Sequence, residues 1–383
     1  MNNLINIDIS GLNYKHQSGV QNSLWAFVNG SLINENKNEM YCQFYDTSGK
    51  YNFKLFEKIG NKYLNSIYSR YKINQIGISK LYDLGVLKVN SNSDMGGPKL
   101  NHVFNWGIKE IKGCDNSITI HDIFPIEFPK IFSSKMIHLT KKSLMFAEDN
   151  CIQIQVNSNY TKSCVVGYTN IRPERIDVVY LGISNEFFDH SDISESTLIE
   201  FNLKKHQYFI SMGYLDPRKN LVNQIKAFLL FKKKSNNKIK YALTGFSGQY
   251  SGEILDLLKD PNIRDHVIFL GFVNLNKLKS LIHFSAALLY ASQAEGFGLP
   301  IIEAYAMKTN VITSNTTSMV ELGTNRAIMV DPNNIESIMD GINRAYFNRD
   351  EFQIESNFNY STNFTELNWF KGHFVKDEYE LPS

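Results

Sequence analysis

Two glutamates, Glu295 and Glu303, enclose the seven residues Gly-Phe-Gly-Leu-Pro-Ile-Ile. The apolar run 286–291 predicts a buried strand before them, and Pro300 suits the first turn of a helix after them. Glycines let the backbone approach a ligand closely, and a helix N-terminus behind such a turn attracts anions. The pattern therefore indicates phosphate contacts beside two carboxylates for sugar hydroxyls. A plain strand-to-helix turn with a solvated Glu295 would explain the glycines but not the paired carboxylates.

A second candidate for anion binding follows the strand predicted at 207–212, in the turn Gly213-Tyr-Leu-Asp-Pro-Arg-Lys-Asn220. We expect Arg218 and Lys219 to open the next helix. Two cations at a helix N-terminus are unfavourable unless an anion lies nearby, because the helix dipole is positive there. Arginine grips phosphate oxygens in a fork and lysine acts as a point charge. The alternative is a pair of exposed basic residues.

His121 and Asp122 follow a short strand predicted at 117–120, and the Pro-broken loop 123–129 comes next. Ligands of open parallel sheets bind beyond the carboxyl ends of the strands, so His121 is a candidate substrate contact. The alternative is a structural histidine bonded to its neighbouring Asp122. A metal ligand is not expected, because no partners at ligand spacing accompany it.

The N-terminal segment repeats the phosphate-type arrangement. A strand at 4–9, a polar loop at 10–18 ending at Gly19, and a helical pattern at 20–33 follow one another. Taken alone, this is a weak signal. Residues 40–115 give a candidate strand at 41–45, a candidate helix at 53–71 and a turn at 94–98, without recognisable chemistry.

The string Glu295-x7-Glu303 with its inner Gly-Phe-Gly-Leu-Pro resembles the signature of retaining glycosyltransferases of the GT-B class, family 4 (group 1). The resemblance implies that Glu295 faces the donor sugar and that Glu303 binds the ribose hydroxyls. It also implies backbone contacts from Phe297, Gly298 and Leu299 to sugar and phosphate.

The same resemblance extends to the other candidates. It implies that Arg218 and Lys219 bind the donor diphosphate and that the Gly19 loop closes over it. His121-Asp122-x-x-Pro resembles a mannosyltransferase-like branch, in which the histidine lies near the donor sugar. For this branch a GDP-mannose-like donor is expected. Arg218, Lys219, Glu295 and His121 are therefore the expected catalytic residues.

Regular alternation of strands and helices predicts a parallel sheet in the C-terminal half. Its candidate strands are 207–212, 239–244, 267–270, 286–290, 310–314 and 327–330. The N-terminal half adds a helix at 133–149, a strand at 151–156, a helix from 158 or 159 to 166, and a strand at 176–180. The expected fold is α/β: two Rossmann-like domains facing across a cleft, as the resemblance implies.

The expected domains are an acceptor-binding domain at 1–183, a linker at 184–205 and a nucleotide-sugar-binding domain at 206–358. A C-terminal helix at 359–383 is expected to cross back to the N-terminal domain, again from the resemblance. Of the 383 residues, 43% are hydrophobic, which is ample for two cores.

Charge and cysteine content bear on the binding partners and the location of the protein. The net charge of +2 does not indicate a nucleic-acid binder. Three lysines, at 135, 141 and 142, form either a solvated face or a patch for an anionic membrane. The four cysteines lack metal-ligand spacing and are expected to be reduced and mostly buried. Neither a signal peptide nor a transmembrane segment is evident, so we expect a cytoplasmic protein, and peripheral contact with the inner membrane stays open.

The expected reaction moves a sugar from a nucleotide-diphosphate donor to a hydroxyl of a glycan or lipid-linked acceptor, with retained configuration. The expected setting is bacterial surface polysaccharide synthesis, O-antigen or capsule. No metal is expected if Arg218, Lys219 and the helix start at Leu299 neutralise the diphosphate. Two alternatives stay open: a nucleotide-sugar epimerase on the same architecture, and a non-catalytic nucleotide-sugar-binding subunit.

Overall fold

A computed structural model describes residues 4–8, 41–45, 100–104, 114–213, 215–235, 238–245, 252–348 and 364–365. The chain divides into two compact units at Gly182 and Ile183. Unit 1 contains the described residues up to Gly182, and unit 2 runs from Ile183 to Thr365. Helices and strands are numbered below in chain order over the described residues.

Unit 1 is built on a parallel sheet with the strand order β2-β1-β3-β4-β5-β6. The strands are β1 (Leu4–Asp8), β2 (Tyr41–Tyr45), β3 (Leu100–Phe104), β4 (Asp115–Ile120), β5 (Cys151–Val156) and β6 (Ile176–Val178). The helices of this unit are α1 (Phe124–Glu127), α2 (Ser134–Asn150) and α3 (Asn159–Tyr168). Ser133 and Ser158 cap α2 and α3, each accepting a hydrogen bond from a backbone N–H three residues ahead.

Unit 2 is built on a second parallel sheet with the order β12-β11-β10-β7-β8-β9. Its strands are β7 (Tyr208–Met212), β8 (Lys240–Thr244), β9 (Val267–Gly271), β10 (Ala287–Tyr290), β11 (Val311–Ser314) and β12 (Ile328–Val330). Its helices are α4 (Ser196–Glu200), α5 (Leu221–Ser235), α6 (Gly252–Leu257), α7 (Pro261–Arg264), α8 (Leu275–His283), α9 (Leu299–Ala306), α10 (Met319–Gly323) and α11 (Ile335–Phe347).

Helices α5 and α11 cover the central strands of unit 2 with apolar faces at helical spacing. On α5, Leu221, Ile225 and Phe228 recur at intervals of four and three residues, and all three are buried. Phe228 meets Phe209 of β7 edge to face, with ring centroids 6.3 Å apart. This packing fixes the strand ends from which the candidate site is built.

The expected strands of unit 2 are confirmed, each within one residue at either end. The strands expected in unit 1 at 4–9, 41–45, 117–120, 151–156 and 176–180 are also present, as is the long helix that follows Ser133. Strand β3 was not expected. Gly19, the helices expected at 20–33 and 53–71, the turn at 94–98 and, apart from residues 364–365, the crossing helix at 359–383 lie outside the described residues.

The segment expected as a linker, 184–205, lies within unit 2 and carries a 3-10 turn at Asn185–Phe188 as well as α4. Phe187 and Leu198 of this segment are buried. Among the cysteines whose side chains are described, Cys151 is buried and Cys114 and Cys164 are partly buried, all three as free thiols. The described part of the chain has no helix with the length and apolar character that crossing a bilayer requires.

Candidate active site

The candidate site of unit 2 lies at the point where the strand order of its sheet reverses. From β7 the chain proceeds through β8 to β9 on one side, and then returns to β10, which pairs with β7 on its other side. Lys219 follows β7 and Glu295 follows β10. Ligands of open α/β sheets bind beyond the carboxyl ends of strands at such a reversal.

The turn after β10 requires glycine at Gly298, which precedes α9. Its φ of 116° lies in a region that side chains disfavour. A Cβ atom added there would lie 3.2 Å from Ile301 Cδ1 and 3.4 Å from Leu322 Cδ1. Pro300 lies in the first turn of α9, as expected, and no side chain among the described residues caps this helix start. Pro300 has no N–H, and the Ile301 N–H donates to the carbonyl oxygen of Gly298 at 2.9 Å, so in the described first turn of α9 it is the Leu299 N–H that is left for a ligand or water.

Two residues after β11 hold this turn in place. The Ser318 hydroxyl is fully buried and lies 2.6 Å from the carbonyl oxygen of Glu295 and 2.8 Å from that of Phe297. Thr317 Oγ1 accepts a hydrogen bond from the Glu295 N–H at 3.2 Å. The backbone on both sides of Gly296 is therefore tied to the neighbouring strand-to-helix connection.

Lys219 and Glu295 form an ion pair at the centre of the site. Lys219 Nζ donates to Glu295 Oε1 at 2.7 Å, and the two side chains are only 16% and 11% exposed. Lys219 Nζ also donates to the Tyr290 hydroxyl at 2.6 Å. Tyr290 is the last residue of β10 and is 3% exposed.

The two glutamates have opposite pKa shifts. Burial alone would raise the pKa of Glu295, but the positive charges of Lys219 and Arg218 outweigh it and hold this pKa below its usual value. Burial raises the pKa of Glu303 to about 7, although Lys219 acts in the other direction. Near neutral pH, Glu295 is ionised while Glu303 is divided between its two forms.

Arg218 lies in a 3-10 turn at Pro217–Lys219, held by Asp216. Asp216 Oδ1 accepts from the Arg218 backbone N–H at 2.8 Å and lies 3.3 Å from Arg218 Nε. The expectation that Arg218 and Lys219 open a helix is wrong, because α5 begins only at Leu221.

The left-handed conformation of Asn220, with φ of 57°, separates the two basic residues from α5. The Asn220 side chain donates to the carbonyl oxygens of Ala291 and Pro332, at 3.0 Å and 2.7 Å. These bonds tie the turn after β7 to the chain that follows β10 and β12. The two cations therefore belong to an irregular turn at the strand ends.

Comparison with known proteins bears on this unit directly. Residues 195–361 match the family model described as "Glycosyl transferases group 1", and this span includes β7 to β12 with the whole candidate site. Residues 195–361 form a group 1 glycosyltransferase domain. The resemblance to group 1 glycosyltransferases that the Glu-x7-Glu string indicates is thereby confirmed.

Two relatives of this chain are named as O-antigen chain mannosyltransferases. The chain is 30% identical over 240 residues to the O-antigen chain mannosyltransferase RfbU of Salmonella typhimurium, covering 60% of this chain and 63% of the relative. It is 26% identical over 221 residues to O-antigen chain mannosyltransferase B of Escherichia coli, covering 57% and 58%. Each match spans less than two thirds of the relative's length.

Two solved structures share the fold. HepE of Anabaena, in complex with UDP-glucose, matches with a TM-score of 0.67 at 14% identity, over 97% of this chain and 95% of that chain. WaaG, a glycosyltransferase involved in lipopolysaccharide biosynthesis, matches with a TM-score of 0.62 at 13% identity, over 96% and 95%. The expected GT-B class, with two parallel-sheet α/β domains, is confirmed.

In unit 1, His121 follows β4, as expected, and is 3% exposed. Its ring stacks on Phe104 with centroids 6.0 Å apart. Burial lowers the pKa of His121 to about 4, so the imidazole is neutral at physiological pH. The Asp122 carboxylate accepts from the Phe124 N–H at 3.2 Å and so holds the start of α1.

The group 1 domain brings together most of the expected site residues. Lys219 bonds Glu295, and Phe297, Gly298 and Leu299 form the turn into α9, whose second turn carries Glu303. Phe297 is 3% exposed and packs against Phe364, with ring centroids 6.4 Å apart.

Tyr290, Asp216 and Ser318 were not expected at the site. Tyr290 could have been found, since it ends the strand that leads to Glu295. Ser318 acts on backbone carbonyl oxygens, and Asp216 binds the Arg218 backbone N–H as well as the Arg218 side chain. Contacts with backbone atoms leave little trace in residue types. Within the described residues, no group of three or more His, Cys, Asp or Glu side chains is arranged to hold a metal ion.

Proposed function

We propose that this protein is a glycosyltransferase that moves a sugar from a nucleotide-diphosphate sugar to a hydroxyl of a glycan or lipid-linked acceptor. The observation that carries the proposal is the Lys219–Glu295 pair at the strand-order reversal, beside the uncapped start of α9. A cation, a carboxylate and a helix N-terminus are groups that a protein can offer to a sugar joined to a diphosphate.

The diphosphate is the proposed ligand of Lys219, Arg218 and the first turn of α9. Positive charge must meet the leaving group, because negative charge develops on the diphosphate as the bond to the sugar breaks. Each well-placed donor at such a position contributes about 3–4 kcal/mol to transition-state stabilisation. With two cations and a helix start at this position, we propose that the reaction needs no metal ion.

Glu295 is proposed to bind the donor sugar, and Glu303 the ribose. A carboxyl group accepts hydrogen bonds from two hydroxyls best when it is ionised, because both of its oxygens are then acceptors. Lys219 and Arg218 keep Glu295 in that form, whereas Glu303 takes it fully only above a pH of about 7. Binding of ribose by Glu303 should therefore strengthen as the pH rises through neutrality.

The proposed donor is GDP-mannose, with retained configuration at the sugar, and the proposed pathway is O-antigen or capsule synthesis. The relatives RfbU and mannosyltransferase B, both named as O-antigen chain mannosyltransferases, support the sugar and the pathway. HepE, solved with UDP-glucose, supports a nucleotide-sugar ligand for this fold but carries another base and sugar. The donor must therefore be tested against competitors.

The test is a thermal-shift screen of GDP-, UDP-, dTDP- and ADP-sugars, followed by transfer assays on lipid-linked glycans with and without EDTA. A ligand that binds only the folded state raises the melting temperature, and GDP-mannose is expected to raise it most. Transfer with release of GDP, an α-linked product and no effect of EDTA are expected. A product with inverted configuration would disprove the retaining mechanism.

The same assays separate the two alternatives. An epimerase would convert the donor without releasing nucleoside diphosphate. A non-catalytic binding subunit would show no turnover with any acceptor. Loss of turnover in Glu295→Ala, Arg218→Ala and Lys219→Ala variants would tie the activity to this site. The proposed role of His121 is tested by His121→Asn. This substitution is expected to lower the rate of sugar transfer and to leave the binding of GDP unchanged.

We also propose peripheral contact with the inner membrane, through the exposed side of α2. Lys135, Lys141 and Lys142 are exposed on this helix, and Met145 is 62% exposed beside them. Each lysine near an anionic lipid surface contributes about 1 kcal/mol to binding. Sedimentation with vesicles containing phosphatidylglycerol should retain the protein, and changing the three lysines to glutamate should release it. If neither occurs, this face is solvated.

A further inference from the structure

Tyr290 is buried inside the site and contacts its lysine. The Tyr290 hydroxyl accepts a hydrogen bond from Lys219 Nζ at 2.6 Å. Lys219 Nζ also donates to Glu295 Oε1 at 2.7 Å, so two acceptors hold the ammonium. Of these two acceptors, Tyr290 is the one without charge.

The path of the Lys219 side chain is confined as well. Its ammonium lies 4.6 Å from the centroid of the Tyr290 ring. A Cβ atom added at Gly213, where φ is 118°, would lie 3.5 Å from Lys219 Cε. The end of the lysine chain therefore lies against the bare backbone of Gly213 and the face of Tyr290.

Two of the three N–H groups of the Lys219 ammonium point to Tyr290 and Glu295. Because the ammonium is tetrahedral, these two hydrogen bonds also fix the direction of its third N–H bond. Hydrogen bonds at fixed positions require no reorganisation when a ligand arrives, which is the source of their strength in a site. A lysine held by only one partner would lose this advantage, because its flexible chain can rotate.

We propose that Tyr290 is a positioning residue, whose hydroxyl fixes the Lys219 ammonium so that its third N–H meets the outer phosphate of a nucleoside diphosphate. This inference rests on the proposed function, in which Lys219 binds the donor diphosphate. It predicts that the Tyr290 hydroxyl contributes to binding of a diphosphate and not of a monophosphate, which lacks the outer phosphate.

The test compares the affinities of GDP and GMP by isothermal titration calorimetry for the wild-type protein and for Tyr290→Phe, which removes only the hydroxyl. Wild type is expected to prefer GDP over GMP by about fiftyfold or more, and Lys219→Ala to lose most of that preference. Tyr290→Phe is expected to reduce the preference by about fivefold to tenfold, with the affinity for GMP unchanged. In the double variant, Tyr290→Phe should add nothing to Lys219→Ala.

The matched control is Tyr208→Phe. Tyr208 is fully buried in the same unit, at the end of β7 that lies away from the Lys219 turn, and its hydroxyl donates to the carbonyl oxygen of Leu281 at 2.5 Å. Tyr208→Phe should leave the ratio of the affinities for GDP and GMP unchanged. A loss of stability alone should not change this ratio either. If Lys219→Ala lowers the ratio and Tyr290→Phe does not, the role of Tyr290 is disproved. If Lys219→Ala leaves the ratio unchanged, or if wild type binds neither GDP nor its UDP, dTDP and ADP counterparts, the proposed function fails first.

Discussion

Lys219 and Glu295 are 76 positions apart in the chain, yet Lys219 Nζ lies 2.7 Å from Glu295 Oε1. One residue follows β7 and the other follows β10, and these two strands are neighbours in the sheet. Removing two charges from water is costly, and the pair repays this cost only while both partners are present. The proposed binding of a diphosphate and a sugar gives a reason for this pair to be present at the site.

Removal of one partner should therefore destabilise the fold more than removal of both. Lys219→Met leaves the Glu295 carboxylate buried without its ammonium, which is expected to cost about 2–3 kcal/mol. Adding Glu295→Gln should recover about 1 kcal/mol or more, because the buried charge is gone. Urea unfolding of the two single variants and the double variant measures this coupling. Strictly additive losses would contradict it.

Glu303 is expected to make the stability of the fold depend on pH. Its pKa is raised by burial from 4.5 to about 7, so between these values the folded state holds a proton that the unfolded state has lost. The stabilisation that this proton confers declines as the pH rises, and is lost above a pH of about 7. Above this pH the folded wild type carries a buried negative charge on Glu303, and Glu303→Gln does not. The variant should therefore be more stable than wild type at about pH 8, by about 1–2 kcal/mol after allowance for solvent screening.

Urea unfolding at about pH 5 and about pH 8 checks this expectation, because other titrating groups cancel in the difference between wild type and variant. The gain from Glu303→Gln should be clearly smaller at the lower pH. The exposed Glu174 provides a control, and Glu174→Gln should have the same effect at both values. An equal gain from Glu303→Gln at both values would show that Glu303 is not protonated in the folded protein.

Where the chain is organised by local patterns, the sequence predicts the fold closely. The strands of unit 2 are short apolar runs between turn residues, and their observed bounds differ from the expected ones by at most one residue. The Glu295-to-Glu303 string could be interpreted for the same reason, since the strand, the glycine turn and the helix start are contiguous. These features need no knowledge of distant contacts.

Strand β3 shows what the pattern cannot reveal. Two of its five residues, Asn101 and His102, are polar and fully buried. Asn101 donates to Asn116, and the His102 ring bonds Ser117 and Thr119, all on β4. Polar groups at interior positions are tolerated because the neighbouring strand satisfies them, and that pairing is absent from the local sequence.

The turn at Arg218 and Lys219 could not be predicted for a related reason. Asn220 adopts a left-handed conformation that delays the helix, and its side chain bonds the carbonyl oxygens of Ala291 and Pro332. Both partners lie on later parts of the chain. A helix start next to a proline was the local expectation, and long-range hydrogen bonds overrode it.

Glycine at 298 is expected to be required for both the fold and ligand binding. Gly298→Ala places a side chain at φ 116° and within 3.2 Å of Ile301, so it should destabilise unit 2 by about 1–3 kcal/mol. A shifted turn would also weaken binding of GDP. Gly167, in α3, is the control, because a Cβ atom there meets nothing within 4 Å. Gly167→Ala should be neutral or stabilising by up to about 1 kcal/mol in the same thermal melt.

Ser318 should matter for ligand binding as well as for stability. Ser318→Ala leaves the carbonyl oxygens of Glu295 and Phe297 without the hydroxyl that now lies 2.6 Å and 2.8 Å from them, at a cost of about 1–2 kcal/mol. Ser285→Ala removes an equally buried hydroxyl, which donates to the carbonyl oxygen of Ile282 at 2.8 Å outside this turn.

The two serine variants should lose similar stability in urea, because each loses one buried hydrogen-bond donor. Only Ser318→Ala should also weaken binding of GDP in a calorimetric titration, by about threefold to tenfold, since the turn that carries Glu295 and leads to α9 becomes mobile. Equal affinities for GDP in both variants would show that the turn keeps its shape through Thr317 and Gly298 alone.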